Sequence, residues 1–417
     1  LDGPKSQAAA APERGDPRRR LLLHLFQAAL ASVDGRTCVR EALALPAGTP
    51  ARTRPVWAAA IGKAASAMML GAHDALGKSL ERGLLITKDD HTTPQTYGLQ
   101  HIEIIESAHP VPDQRSLAAG ARLLEWVDAV PADVDLLFLI SGGASSLVEA
   151  LVPGATLAQL TELNKRGLAS GLAIGELNAK RAQLSRIKGG RLAARLAGRT
   201  ATALFISDVP GHDPAVIGSG LMGPSEPAHD LIDRRVIASI DIAAKAARAA
   251  GQAIGLEVWR DTHAFEGPAE RLAVRFAHEL HMHPEQLRIW GGESVVNLPE
   301  NPGRGGRNQH LALAAARIIA GHDNLMLLVA GTDGTDGVTS DAGGLVDGET
   351  CSRVALATLD VQKCLETADS GAALAAAGDL VHTGPTGTNV GDLVLGLKLG
   401  KDAAAAFLEG RDGSITR

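Results

Sequence analysis

The sequence predicts a two-domain α/β protein built on open sheets whose strands are joined by right-handed crossovers. Three observations predict it. The chain has 417 residues, more than one ordinary domain holds. Short apolar runs alternate with helical stretches along most of that length. Polar, glycine-rich turns follow one strand-like run after another, as they do where a sheet of this kind binds its ligand.

Residues 1–17 are rich in Ala, Pro, Gly and charge and read as a loose tail. Arg18-Arg19-Arg20 ahead of an apolar stretch imitates a signal peptide, but His24 and Gln27 interrupt that stretch. Leu22, Leu25, Phe26, Ala29 and Val33 share one helical face, so the periodicity predicts an amphipathic helix. Apolar runs predict strands at 56–61, 83–87, 102–106, 136–140 and 201–206, and the run 136–140 is of the kind buried on both faces. Helical patterning covers 63–76, 117–129 and, with breaks near Gly171, Gly175 and Gly189-Gly190, 156–197. From about 230 an Ala-rich helix runs to Gly251. Strand-like 255–259, helix 268–281, strands 287–290 and 294–298, and helix 308–319 follow. Strand 325–330, helices near 351–358 and 370–377, and strand 392–397 complete the pattern. The predicted division is a tail of residues 1–17, an N-terminal domain over 18–235 and a C-terminal domain over 236–417.

Apolar residues make up 45% and charged residues 21%, the proportions of a globular chain that can bury a large core. Aromatic residues are only 3%, so Leu, Val, Ile and Ala must build that core. The net charge of −6 excludes a bulk basic field for nucleic acid or an anionic membrane. An anionic substrate would need a local basic site. Cys38, Cys351 and Cys364 are widely spaced, form no Cys-x-x-Cys pair or metal pattern, and fit a reducing, cytoplasmic compartment. No apolar run reaches the length of a membrane span.

The chemistry concentrates at the strand ends. Gly62-Lys63 follows 56–61; it lacks the earlier glycine of a P-loop, yet a cation in the first turn of a helix opposes the helix dipole, which points to a phosphate-neutralising job, although a solvated surface lysine fits the spacing equally. Ser141-Gly142-Gly143 follows 136–140, and its glycines let backbone N–H groups converge on an anion, although a tight turn with serine caps reads the same way. Ser207-Asp208 follows 201–206, and Gly291-Gly292-Glu293 follows 287–290. Gly303-Arg-Gly-Gly-Arg307-Asn308 opens a predicted helix with three glycines and two arginines, a strong anion-binding pattern in which the Arg307 fork suits phosphate or carboxylate, the alternative being a basic surface loop. Asp333, Asp336 and Asp341 lie close in sequence and could supply hard oxygens to Mg²⁺, or simply make turns. Thr383–Val390, with Asn389, could close over a ligand or merely connect. Gly218-x-Gly220-x-x-Gly223 fits the dinucleotide expression but has no strand directly before it and Pro224 directly after, so it reads as a bent loop. His281 and His283 read as helix-end residues. Such turns on both halves predict one cleft between two domains.

In this order the motifs resemble those of the class II glycerate 2-kinases, the family whose C-terminal part is called MOFRL. The resemblance spans about residues 20–400 and rests on Gly62-Lys63-Ala64-Ala65, Ser141-Gly142-Gly143 and Leu184-Ser185-Arg186-Ile187-Lys188-Gly189-Gly190. It continues through Ser207-Asp208-Val209-Pro210-Gly211, Gly305-Gly306-Arg307-Asn308-Gln309, Thr332-Asp333-Gly334-Thr335-Asp336-Gly337 and Thr383–Val390. It implies an N-terminal Rossmann-like parallel sheet, a smaller C-terminal α/β domain with a mixed sheet, and an active site in the cleft between them. It implies a kinase that uses ATP and Mg²⁺ to phosphorylate D-glycerate on its 2-hydroxyl, acting as monomer or homodimer without nucleic-acid or membrane partners. Lys63, Arg307 and Asp208 are then the catalytic residues. Ser141, Gly142, Gly143, Lys188, Glu293, Asn308 and Asn389 bind substrate or nucleotide, and Asp333 and Asp336 hold metal. A hydroxypyruvate reductase using NAD(P)H and a non-catalytic sugar-acid sensor are the alternatives. The sequence departs from the family at Ala144, Leu221-Met222-Gly223, His310 and Gly391, which bears on substrate identity more than on reaction type.

Overall fold

Six continuous or alternating apolar runs pair, all parallel, into one sheet. They are β1 (Val56–Ile61), β2 (Leu80–Lys88), β3 (Ile102–Ser107), β4 (Asp135–Ile140), β5 (Thr200–Ser207) and β6 (Leu231–Ser239). Their order is β3-β2-β1-β4-β5-β6, the doubly wound arrangement with its switch point between β1 and β4. The computed structural model describes residues 15–45, 53–169, 174–196, 198–224 and 231–409. Most of the predicted tail therefore lies outside the described residues, as does the helix break at Gly171.

β1 is buried along its whole length and β4 from its second residue, as strands covered on both faces must be. Ile61, Phe138, Ile140 and Phe205 are fully buried, and Trp57 packs on Trp126 with ring centroids 5.5 Å apart. Removing a ring of this kind, as in Phe138→Ala, would cost about 3–5 kcal/mol.

A second sheet is mixed. Its strands are β7 (Val258–Arg260), β8 (Phe265–Pro268), β9 (Leu287–Val295), β10 (Leu325–Gly331), β11 (Gly343–Asp347), β12 (Leu380–Val381) and β13 (Asp392–Lys398). They run in the order β12-β11-β10-β13-β9-β7, with β8 also on β9. β13 lies antiparallel between β10 and β9, while β7 and β8 pair parallel with β9. Its core is built around Phe276, Trp290 and the helix Arg307–Ile318, whose Leu311 to Ala316 face is buried.

Residue contacts divide the chain into two compact units. One takes Leu30–Ala243 with Pro385–Gly391 and carries the parallel sheet; the other takes Leu1–Ala29, Ala244–Gly384 and Asp392–Arg417 and carries the mixed sheet. The division is therefore not sequential. The sequence-based boundary at 235/236 does not anticipate the two exchanged segments, because both are set by long-range packing.

The predicted amphipathic helix forms over Pro17–Ser32 and buries Leu21, Leu22, Leu25, Phe26 and Ala29. Arg19, read above as part of a signal-like cluster, pairs instead with buried Asp379 at 2.9 Å. The segment expected to be one helix from about 230 is strand β6 followed by the helix Ile240–Ala253. The β-branched Ile232 and Val236 pair with β5 before the alanines begin, so sheet packing prevails over local helix propensity. The strand pair expected at 287–290 and 294–298 is the single strand β9. Among the described residues no helix is long and apolar enough to cross a membrane.

Candidate active site

Parallel register sets the first group of candidate residues. Ile61 of β1 stands opposite Ile140 of β4, so the turns that follow both strands meet. The Ser141 N–H donates to Ile61 O at 3.0 Å, and the Lys63 N–H donates to Gly142 O at 2.9 Å. The helix Ala65–Leu76 begins here without a side-chain cap of its own. Ser141 supplies one: its fully buried hydroxyl accepts the Ala64 N–H at 3.0 Å. The serine expected to touch a ligand therefore spends its side chain on positioning Lys63. The rest of that turn is Gly142 and Gly143, which carry no side chain.

Those glycines sit between four polar side chains. A methyl on Gly142 would collide with Asp208 Oδ2 and Asn389 Nδ2, and one on Gly143 would lie 3.1 Å from Lys63 Cγ and 3.2 Å from His109 Cδ2. Asp208 follows β5, and Asn389 belongs to the exchanged segment Pro385–Gly391. The Asn389 amide reaches Asp208 Oδ2 at 3.5 Å, at the edge of hydrogen-bond range. Lys63, Gly142, Gly143, Asp208 and Asn389 are thus brought together at the switch point of the sheet. His109 joins them without having been picked from the sequence.

Gly142→Ala tests that packing. The backbone of Gly142 lies outside the left-handed region, so alanine fits its conformation and only its methyl is unwelcome. The colliding atoms are side-chain ends, which can move at a cost of about 1–3 kcal/mol. Displacing Asp208 by about 1 Å would cost about 100-fold in rate. The expected result is a modest fall in Tm and a fall of about 100-fold in kcat/KM. A loss of rate no greater than the loss of folded protein would take Asp208 and Asn389 out of the site.

Next to Gly143 lies a pocket of about 180 Å³, lined by His109, Ser145, Ser146, Arg181 and Lys188 among others. Lys188 is 1% exposed, and its ammonium donates to Oε2 of fully buried Glu149 at 2.6 Å. Burial pulls the Lys188 pKa below its ordinary value, although the Glu149 carboxylate opposes that. Lys188 lines this pocket beside Gly143, with a dedicated counter-ion that the sequence did not disclose.

The second group belongs to the mixed-sheet unit. Arg307 begins the helix Arg307–Ile318. Its Nε lies 2.8 Å from Asp392 Oδ2, and its Nη2 lies 3.0 Å from Asp392 Oδ1 and 2.5 Å from Glu293 Oε1. Burial disfavours the guanidinium charge, but Asp392 and Glu293 outweigh it and hold the pKa above the usual arginine value. Asn308 is 2% exposed, and its amide donates to Asp392 Oδ1 at 3.0 Å, so it acts as a brace for the acid that orients Arg307. Asp392, which opens β13, was read only as the start of a strand.

Asp336 does local work. The N-cap residue Gly306 has no side chain, and Asp336 replaces the missing acceptor: Oδ1 takes the Asn308 N–H at 3.1 Å and Oδ2 the Gln309 N–H at 2.8 Å. A methyl on Gly306 would overlap that carboxylate. Asp333 accepts the Thr335 N–H at 3.0 Å within its own turn. Among the described residues no group of three or more His, Cys, Asp or Glu side chains is arranged to hold a metal ion.

Burial raises the Asp336 pKa, the two amide bonds oppose the rise, Asp392 adds to it, and the net result is about 7. Unfolded, the same carboxyl titrates near 3.8. Between these values the folded state binds more protons than the unfolded one, so this residue makes stability fall as pH climbs from about 4 to about 7. Asp336→Asn is neutral throughout and is expected to flatten the decline of Tm across that window. If Asp336 held Mg²⁺, the variant would also raise the Mg²⁺ concentration needed for half-maximal activity. An unchanged requirement leaves it a helix cap.

Comparison with known proteins adds a separate line of support. Residues 21–254 match the profile of a domain of unknown function, DUF4147, and residues 286–392 match the MOFRL family. The chain is 35% identical over 376 residues to the D-glycerate 2-kinase of Thermotoga maritima, covering 81% of this chain and 89% of that protein. It is 33% identical over 418 residues to a putative hydroxypyruvate reductase of Agrobacterium vitis, covering 90% and 93% respectively. The crystal structure of a glycerate kinase from Thermotoga maritima superposes with a TM-score of 0.78 at 33% identity, covering 92% of this chain and 99% of that one.

Proposed function

The chain belongs to the glycerate 2-kinase family that joins a DUF4147 domain to a MOFRL domain, and from that premise we propose that it transfers the γ-phosphoryl group of ATP to the 2-hydroxyl of D-glycerate. The observation that carries this reading is the gathering of Lys63, Gly142, Gly143, Asp208 and Asn389 at the β1/β4 switch point. A cation, a side-chain-free stretch of backbone and a carboxylate at that place are what phosphoryl transfer to an alcohol needs, because positioning and charge neutralisation do most of the work.

The 2-hydroxyl oxygen attacks the γ-phosphorus, the bond from that phosphorus to the β,γ-bridging oxygen breaks, and ADP leaves. Asp208, held beside Gly142, orients the hydroxyl and accepts its proton. Lys63 neutralises charge on the migrating phosphoryl oxygens. Arg307, which the family resemblance names as a second catalytic cation, has its Nε and Nη2 aimed by Asp392 and Glu293. Mg²⁺ usually binds such enzymes through one or two carboxylates plus the substrate's phosphates, which fits a chain without an all-protein cage among its described residues. Asp333, in the turn that follows β10, is the carboxylate that would hold it, and Asp336 caps the helix Arg307–Ile318. When bound, Mg²⁺ neutralises the β- and γ-phosphate oxygens. A cytoplasmic location belongs to the same proposal.

The competing reductase reading needs a nicotinamide site. The only stretch that fits the dinucleotide expression, Gly218 to Gly223, forms a kinked 3₁₀ turn over Ile217–Gly220 instead of a strand-to-helix junction. Coupled ADP release with D-glycerate, L-glycerate, hydroxypyruvate and tartronate, with product position read by ³¹P NMR, decides between the two. ADP release with D-glycerate and phosphate at carbon 2 is the expected result. NADPH consumption with hydroxypyruvate and no ADP release would overturn it.

A further inference from the structure

We infer that the pocket beside Gly143 is the subsite for the acceptor's carboxylate, and that Arg181 is the residue that selects for it. The inference rests on the kinase reading above and assigns a role which that reading leaves open. The argument begins with charge. Lys188 and Arg181 reach the pocket wall, and Glu149 lies behind Lys188 as its counter-ion. Two cations on one pocket wall suit an anionic group such as a carboxylate. Burial pulls the Arg181 pKa below its ordinary value, with Glu149 opposing that, so an arriving anion would meet a poorly hydrated cation.

Size agrees with charge. At about 180 Å³ the pocket is below the range that encloses drug-sized ligands, and it suits a three-carbon acid rather than a nucleotide. Ser145, Ser146 and His109 line it with groups that can meet hydroxyls. Gly143, whose other neighbours are Lys63 and His109, lines it too, so an acid seated there has its reactive end beside Lys63.

The wall is also built to hold its shape. Arg181 Nη1 donates to Asn178 Oδ1 at 3.1 Å, the Ser219 hydroxyl donates to the same oxygen at 3.0 Å, and Ser145 Oγ lies 2.7 Å from Ser219 Oγ. Ser219 sits at φ 57°, in the left-handed region that costs a non-glycine residue about 1–3 kcal/mol. The bent loop at Gly218–Gly220 thus spends backbone strain to tie the arginine's helix to the Ser145 turn. That gives a role to the glycine pattern the transfer mechanism does not use.

Arg181 is the residue to test. Removing Lys188 would leave Glu149 buried without its partner and would destabilise the fold. Arg181→Gln is expected to raise KM for D-glycerate by about 10- to 100-fold, the range for losing a charged hydrogen bond, with KM for ATP unchanged. Arg181→Lys, which keeps the charge without the fork, should show a smaller rise in the same constant. If circular dichroism shows the glutamine variant unfolded, the lysine variant decides alone. An unchanged KM for glycerate, or a shift in KM for ATP instead, overturns the carboxylate subsite while leaving the kinase reading in place. Wild-type protein that releases no ADP with D-glycerate overturns both.

Discussion

Arg307→Lys is expected to lower kcat/KM by about 10²–10³-fold, the scale for losing an oriented transition-state donor, with a small change in Tm. The two halves of that expectation come from the same geometry. The arginine fork meets Asp392 with Nε and Nη2 and meets Glu293 with Nη2, which fixes the plane of the guanidinium. Lysine offers one point charge on a flexible stem and cannot reproduce that plane. It does keep a cation opposite Asp392, which is 1% exposed and would otherwise be a buried, unpaired carboxylate. That is why lysine, and not alanine, is the informative replacement: alanine would orphan the acid at about 3–5 kcal/mol and confuse loss of fold with loss of chemistry. The measurement is steady-state kinetics for both substrates beside thermal unfolding. Wild-type kinetics in the lysine variant would remove Arg307 from the transfer, and a large fall in Tm would make it a structural residue.

The strands that matter most were legible in the sequence because they are continuous apolar runs ended by glycine. β1, β4 and β5 start and stop within a residue or so of where the pattern puts them. Lys63, Ser141 to Gly143 and Asp208 follow directly from those strand ends. What the pattern cannot give is which strands are neighbours. That β1 lies beside β4 is a property of the whole sheet, and it alone makes Gly62-Lys63 and Ser141-Gly142-Gly143 one site. Residues whose purpose is a distant partner were missed for the same reason. Glu149 acts on Lys188 from 39 positions away, and Asp392 acts on Arg307 from 85. Arg181 lies on a helix with other charged residues and reads locally as part of a solvated face. One signal was available: an acid such as Asp392, at the head of an apolar strand, must have a partner to be tolerated there. Capping and bracing partners were equally hidden: Ser141 and Asp336 cap helix starts that lack a side-chain cap of their own, and Asn308 braces Asp392.

Lys63→Ala is expected to reduce kcat by about 10²–10³-fold and to leave Tm within a few degrees of wild type. The separation between the two effects follows from where the lysine stands. Its backbone N–H bond to Gly142 O survives any side-chain change, so the meeting of the β1 and β4 turns is kept. The helix that follows is capped through Ala64 by Ser141, which the substitution does not touch. A positive charge just ahead of a helix opposes the helix dipole, and deleting it should favour the fold slightly, by about 0.3–1 kcal/mol. In the proposed mechanism this cation, whose side chain passes Gly143, acts on the migrating phosphoryl group. The kinetic split is the finer test: a lysine that neutralises the moving phosphoryl group should depress kcat far more than it raises either KM. A rise in KM for ATP at constant kcat would make it a ground-state nucleotide contact. Loss of the cooperative unfolding transition would show that the side chain holds the two turns together after all.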